Sequence, residues 1–477
     1  MTCRHYAGRC QYLGSHGGRQ GDNTLLYKHL QALVWHSRCT SDSMKLRICS
    51  LLALAVCAFA QEPDVKLSLR DAVQLALKQN PRVILANLGI AVSEEDRNIA
   101  RSALLPQASA RASETINRTN LESAIGFRFP GFSQHTGPYR YEQAGVGFNA
   151  QVFDLTLWRR YRASQADIQG SRAAEITARE ESVMLVVSQY LGGQRAAAEV
   201  QAAQSRVDLA QAIYTQADDL QKAGVGTGID TLRSNVQLQN ERQRLIVART
   251  QLETSLFALA RLLGLDPRQR LEIADAVSFF DTPEVNVDQT LEGAFKARPE
   301  LRQIVAQQQR AALESRAASD ARLPRLSVSG FWAEQGLNQS TAIPVYSYSA
   351  NLEVPLFTGG RIQAERARAE LVIRELKQQE QEVRNRVALE VKTALAQLAS
   401  ARSEVDVAKL GVDLARQEVE QARDRFQAGV TNNVEVVQAQ DVLARANDNQ
   451  IAAFYRYNQA RADLAHSAGQ MEALYAK

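Results

Sequence analysis

Over residues 387–426, small and apolar side chains return at steps of four and three: Val387, Val391, Ala394, Leu398, Ala401, Val405, then on through Val412, Val419 and Ala422 to Phe426. That heptad beat keeps one helical face against a partner. Many of the positions are Ala, which lets the partner backbone come close. Glu404, Lys409 and Arg416 occupy other faces. No Pro interrupts residues 362–428, so the pattern predicts one unbroken helix of about 100 Å at ~1.5 Å rise per residue. Ala428-Gly429 is a helix-stop signal. A second helix is expected a few residues later, closing a long hairpin.

The chain holds a second hairpin of this kind. Val73, Leu75, Ala76 and Leu77 predict a short amphipathic helix ending near Asn80-Pro81. A helix over about 82–105 follows, stopped by Pro106. The period then changes to two. Ala108, Ala110 and Ala112 alternate with Ser109, Arg111 and Ser113 in a first strand. After a loop at about 117–140, Ala144, Val146, Phe148, Ala150 and Val152 mark a second strand. A long helix over about 157–222, a glycine-rich turn and a helix over about 229–263 complete the first copy. Leu238, Leu245, Leu252 and Leu259 give that last helix its seven-residue beat. The order then returns. Arg298-Pro299 stands for Asn80-Pro81, and Arg322-Leu323-Pro324 for Leu104-Leu105-Pro106. The second pair of strands is marked by Leu326, Val328 and Trp332, then Tyr348, Leu352 and Val354. Ala428-Gly429-Val430 repeats Ala223-Gly224-Val225. We therefore read a two-fold internal repeat, with copies at 61–264 and 287–470, a linker at 265–286 and a tail at 471–477.

Each expected strand has one apolar and one polar face over about 9–11 residues, the span of a tilted strand across an outer membrane. Four strands cannot close a barrel, and open edges cannot sit in lipid. Either they form a small soluble sheet or several chains pool them. Lys45 and Arg47 precede an apolar run, and Ala58-Phe59-Ala60 forms a cleavage site before Gln61. Residues 44–60 thus read as a secretory signal peptide, with Met44 the expected start and residues 1–43 an upstream extension. All five cysteines precede residue 60, which leaves the mature chain without thiol, disulfide or cysteine–metal chemistry. The formal charge of +4 comes from the N-terminus. The near-neutral remainder gives no electrostatic case for nucleic acid. No Ser-His-Asp set, carboxylate pair or metal-spaced cluster stands out, and His135 and His466 read as surface residues. The chain is not expected to be an enzyme, and no cofactor or metal is expected.

With these features in this order, the sequence resembles the TolC-like outer membrane factor family over nearly all of residues 61–470. The resemblance is carried by the doubled helix–strand–strand–helix–helix order, the Asn80-Pro81 and Arg298-Pro299-Glu300-Leu301 openings, the Val152-Phe153-Asp154 and Leu356-Phe357-Thr358-Gly359-Gly360 strand ends, and the Ala-Gly-Val tips. It implies an α+β membrane protein. A long α-helical coiled-coil barrel would join four β-strands per chain that contribute to a trimeric 12-stranded transmembrane β-barrel. The shorter helices would stack end to end beside each long one. It further implies a homotrimer in the outer membrane lipid, reaching into the periplasm. There it would meet a periplasmic adaptor (membrane fusion protein) and an inner-membrane pump, as an export duct. The rival from another class is a periplasmic coiled-coil scaffold without a barrel.

Asp230 and Glu435 follow the two tips. From the residues alone, each is an acid in a first helical turn, where it complements the helix dipole in the settings Thr227-x-x-Asp230 and Asn432-x-x-Glu435. The resemblance adds a second reading, an acidic constriction at the closed periplasmic end. Its gate set would be Asp230, Val434, Glu435, Val437 and Gln438. Gln438 stands where a second acidic ring can occur and Thr431 where an Arg can lock the closed state, so no strong ionic latch is expected. Adaptor contact is expected at the tip residues Gly224, Val225, Gly226, Gly429, Val430 and Thr431. Gly224-x-Gly-x-Gly228 lacks the preceding strand of a phosphate loop and reads as a helix–helix turn. Gly192-Gly193 is either a tolerated defect or a place of close approach. Phe127, Phe129, Phe132, Tyr139 and Tyr141 read as interface aromatics or loop packing.

Overall fold

The computed structural model describes residues 65–476 except 128–129, 132, 267–268, 276–285, 429 and 432. The upstream extension, the signal peptide with its cleavage site, Phe129, Phe132 and the tip residue Gly429 lie outside the described residues.

Short helix α1 (Leu69–Gln79) is capped by Ser68, and α2 (Pro81–Ser102) by Asn80 with Pro in its first turn. Strands β2 (Gln107–Asn120) and β3 (His135–Phe153) flank the five-residue helix α3 (Leu121–Ile125). Helix α4 (Leu155–Lys222) runs 68 residues without a break, and α5 (Gly228–Leu263) returns beside it. Then come α6 (Val287–Ala297), α7 (Pro299–Asp320), β5 (Arg325–Gly336) and β6 (Ile343–Glu353). Helix α8 (Arg361–Gln427, 67 residues) and α9 (Asn433–Ser467) form the second hairpin. The tail folds into α10 (Met471–Tyr475).

The heptad stripe of α8 is its inner face. Val387, Val391, Val405 and Val412 are almost wholly buried, against α7 above and α9 below. Helix α4 packs on α2 and α5 along one flank and on α7 and α9 along the other. The layer thus reads α2 with α5, α4, α7 with α9, then α8.

Both short helices are stacked on the next by a side chain from the X-Pro opening. Asn80 donates from Nδ2 to the Leu262 carbonyl at the end of α5, 2.9 Å away. Arg298 donates to the His466 carbonyl at the end of α9, 3.0 Å away, and holds Glu300 and Glu390 at 3.0 and 2.8 Å. His466 is therefore not the expected surface residue. It is half-buried at this junction, and its Nδ1 is buried without a hydrogen-bond partner.

The largest apolar cluster lies around the middle of α4, joining Val73, Val186, Tyr190, Leu259, Leu263 and Met471. A two-stranded parallel sheet of β1 (Val65–Leu67) and β4 (Leu271–Ile273) covers it, placing a strand inside the expected linker. Tyr190 donates to the Leu67 carbonyl and to Asp275, both at 2.9 Å. Gly193 settles as a place of close approach: a Cβ there would meet Ile273 at 2.6 Å, whereas Gly192 faces open space.

Strands β2, β3, β5 and β6 form one antiparallel sheet in that order. Two expectations need correction. The loop at 117–140 is shorter than expected, because pairing continues from Thr115↔Tyr141 out to Asn120↔His135. β2 and β3 are accordingly 14 and 19 residues long rather than 9–11. β-Branched Thr115, Ile116 and Thr119 sustain the ladder past the point where the apolar alternation ends.

Candidate functional site: a two-faced sheet and two matching tips

Directly paired residues share a face of a sheet. One face holds Phe148, Val146, Trp332, Tyr346, Tyr348 and Leu352, with Ala108 and Ala110 in the same rows. The rings pack: Phe148 and Tyr348 lie 6.4 Å apart, and Tyr346 and Tyr348 6.0 Å. Gly330 between them leaves the room, since a Cβ there would stand 2.2 Å from the Phe148 ring. Yet Tyr346, Tyr348 and Leu352 are each about 70% exposed, an apolar surface that water would not favour. Glu114, Glu142 and Glu334 close this face at the hairpin end. The opposite face carries Ser109, Asn149, Gln151, Ser327, Ser329 and Asn351, with Ser329 and Ser349 hydroxyls bonded at 2.8 Å.

The sheet has two open edges, β2 and β6. The helical layer ends in the same way. α2 exposes Leu85, Leu88, Val92 and Ile99, and α5 exposes Ile229, Leu232, Val236 and Phe257. At the other flank α8 exposes Leu371, Leu389, Val407, Leu410 and Leu414. The residues of α2 and α5, and Leu389, Val407, Leu410 and Leu414 of α8, fall on a three–four beat, so each outer helix carries a second seam pointing away from its own chain.

The two tips fold alike. Val225 donates its backbone N–H to the Leu220 carbonyl, and Val430 donates to the Arg425 carbonyl, both at 3.0 Å. These are the six-to-one bonds of a glycine helix stop, with Gly224 left-handed at φ 75°. Val225 and Val430 stand out, largely exposed. Ile213 near the end of α4 packs against the cluster of Ala422, Val436 and Ala439, so both tips lie at one end of the layer.

Both acids lie in first helical turns. Thr227 makes no side-chain cap bond, and its hydroxyl donates to the Asp230 carboxylate instead, while Asn432 of the second tip lies outside the described residues. Arg233 lies 4.0 Å from Asp230. Glu435 accepts from the Thr431 hydroxyl and pairs with Arg425 at 2.9 Å. Glu435 thus has a charged partner within its own chain, besides the Gln438 and Thr431 positions weighed from the sequence. Arg425 sits in the last turn of α8, a favourable place for a cation, and reaches it across the turn. Val436 and Ala439 are buried against α8, while Val434 and Val437 are half-buried and Gln438 is exposed. Arg425 was the residue sequence reasoning missed. Its last-turn position was the available signal.

The family model described as outer membrane efflux protein matches residues 72–265 and 290–470. The chain is 24% identical over 367 residues to the pyoverdine export outer membrane protein OpmQ of Pseudomonas aeruginosa, covering 73% of this chain and 74% of that one. It is 24% identical over 441 residues to the alkaline protease secretion protein AprF of the same species, covering 89% of each. Its fold superposes on the Campylobacter jejuni CmeC outer membrane channel with a TM-score of 0.73 at 19% identity, covering 96% of this chain and 94% of that one.

Proposed function

We propose, because the chain belongs to the outer membrane efflux protein family, that three copies of it close into one export duct. The chain is an outer membrane channel protein and not an enzyme, and it extends into the periplasm. The observation that carries the assembly is the match between its two flanks. β2 and β6 run in opposite directions at the two edges of an antiparallel sheet, so β6 of one copy fits β2 of the next in the same antiparallel sense. The exposed seam of α8 would meet those of α2 and α5 of that neighbour. Such a head-to-tail contact closes if the rotation allows it, and three chains of four strands give twelve. The two family matches and the doubled element order support two repeats within each chain.

In this duct the Phe148–Tyr348 face lies in lipid and the Ser–Asn face lines water. The tips form the periplasmic mouth, where Val225 and Val430 offer apolar contacts to an adaptor. Asp230 and Glu435 set the charge of that mouth, and Val434, Val437 and Gln438 its packing. Solute would pass down its gradient once an inner-membrane pump delivers it.

Single cysteines test the sheet. Replacing Asn149 or Asn351 should give sites open to a water-soluble maleimide in the folded, membrane-inserted protein. Replacing Phe148 or Leu352 should give sites that react about tenfold more slowly or less, as strand alternation requires. Equal labelling of all four would favour the soluble-sheet scaffold.

A further inference from the structure

We propose that the polar side of the sheet, at its junction with the helices, holds a binding station for anionic groups of a transported solute: carboxylate, phosphate or sulfonate. The proposal rests on the duct reading, which makes that side the lumen.

The starts of α4 and α8 and the end of α7 enclose a cleft of about 550 Å³ lined by Arg160, Arg325, Arg361 and Arg368. Its side is fixed by Arg325, which belongs to the polar row of Ser327 and Asn351 and pairs with Glu353 at 3.0 Å. The carboxylates of the cleft are engaged. Asp154 accepts from the Leu157 N–H at 3.2 Å, Glu314 pairs with Arg310 at 3.0 Å, and Glu365 with Arg361 at 2.9 Å. Arg160 and Arg368 are exposed and make no ion pair among the described residues. Arg325 Nε is buried with no hydrogen-bond partner. Within the paired strands, the remaining charge of the polar row is Arg111, so the uncompensated charge along this path is positive.

Arg361 opens α8, where a cation opposes the helix dipole and no acid stands in the first turn. Arg160 in the second turn of α4 and Arg368 at the eighth position of α8 have no ion pair among the described residues to account for them, while the start of α4 is capped by Asp154. An anion in the cleft would meet both the uncapped start of α8 and the guanidinium forks, which match the oxygen pairs of carboxylate, phosphate and sulfonate groups. Three chains repeat the arrangement around the axis, and low-dielectric walls focus such a field.

The test is block of the purified trimer in a planar bilayer by inorganic tripolyphosphate added from the barrel side. Wild type should be blocked, and the Arg160→Gln/Arg368→Gln variant should need about tenfold more blocker or above. The Arg160→Lys/Arg368→Lys variant, which keeps the charge, should retain most of the block. Equal block in wild type and the Gln variant, no block in a conducting wild type, or a loss as large in the Lys variant as in the Gln variant would each overturn the station and leave the duct standing. A wild-type protein that opens no conductance steps would overturn the duct reading itself.

Discussion

Glu435 shares its charge with Arg425 at 2.9 Å, so the two residues should act in opposite senses on ions at the mouth. Glu435→Ala should weaken block of the bilayer channel by multivalent cations, and Arg425→Ala should strengthen it. Both groups are partly exposed, so the pair itself contributes only ~0.5 kcal/mol, and trimer assembly should be unchanged. Cation block that ignores both variants would reduce Glu435 to a first-turn acid. A second residue carries a pH dependence. Glu180 is buried in α4 and accepts from the N–H groups of Met471 at 2.8 Å and Glu472 at 3.3 Å, holding α10. Burial pushes its carboxyl above the ordinary value, against the pull of those two donors. A raised folded-state pKa means the ionised group costs stability above it, and the cost is relieved as pH falls through it. Glu180→Gln exchanges one of the two accepting oxygens for a donor, so only the pH trend isolates the charge: the unfolding temperature of wild type relative to Glu180→Gln should rise as pH drops toward the usual glutamate range. A relative fall on acidification would contradict this.

At the scale of elements, most of the fold was written in period and punctuation. The long helices fall within two residues of their expected starts, because Pro, Gly and the heptad beat mark both ends of each. What escaped had no local signal. β1 and β4 are three residues each, too short to show a period, and they are joined across about 200 residues. The stacking clamps were visible as X-Pro openings, but their acceptors lie 182 and 168 positions away. The cleft arginines carry no motif or spacing in the sequence; the strand register sets Arg325 on the polar side, and the cleft gathers Arg160, Arg361 and Arg368 around it. The clamps give a direct test. Asn80→Ala should cost about 1–3 kcal/mol through its lost bonds. Arg298→Ala should cost more, about 3 kcal/mol or above, since it also leaves Glu300 and Glu390 side by side. Thermal unfolding in detergent would rank them, and a silent Arg298→Ala would mean that α7 and α9 stack without the clamp.

At the scale of the whole molecule, the chain keeps apolar seams and unpaired strand edges on both flanks, which a monomer in water or lipid would leave unsatisfied. Closure by three copies, as proposed, would answer all of them with one repeated contact. The deciding measurement is disulfide trapping across that contact in intact outer membranes. A cysteine in place of Ser109 on β2 would be combined in one chain with a cysteine at Ser347, Ser349 or Asn351 on β6. Oxidation of at least one combination should give a ladder that stops at three chains. A protein that sits in the outer membrane yet yields only monomer in every combination, or a ladder that runs past three, would contradict the closed trimer.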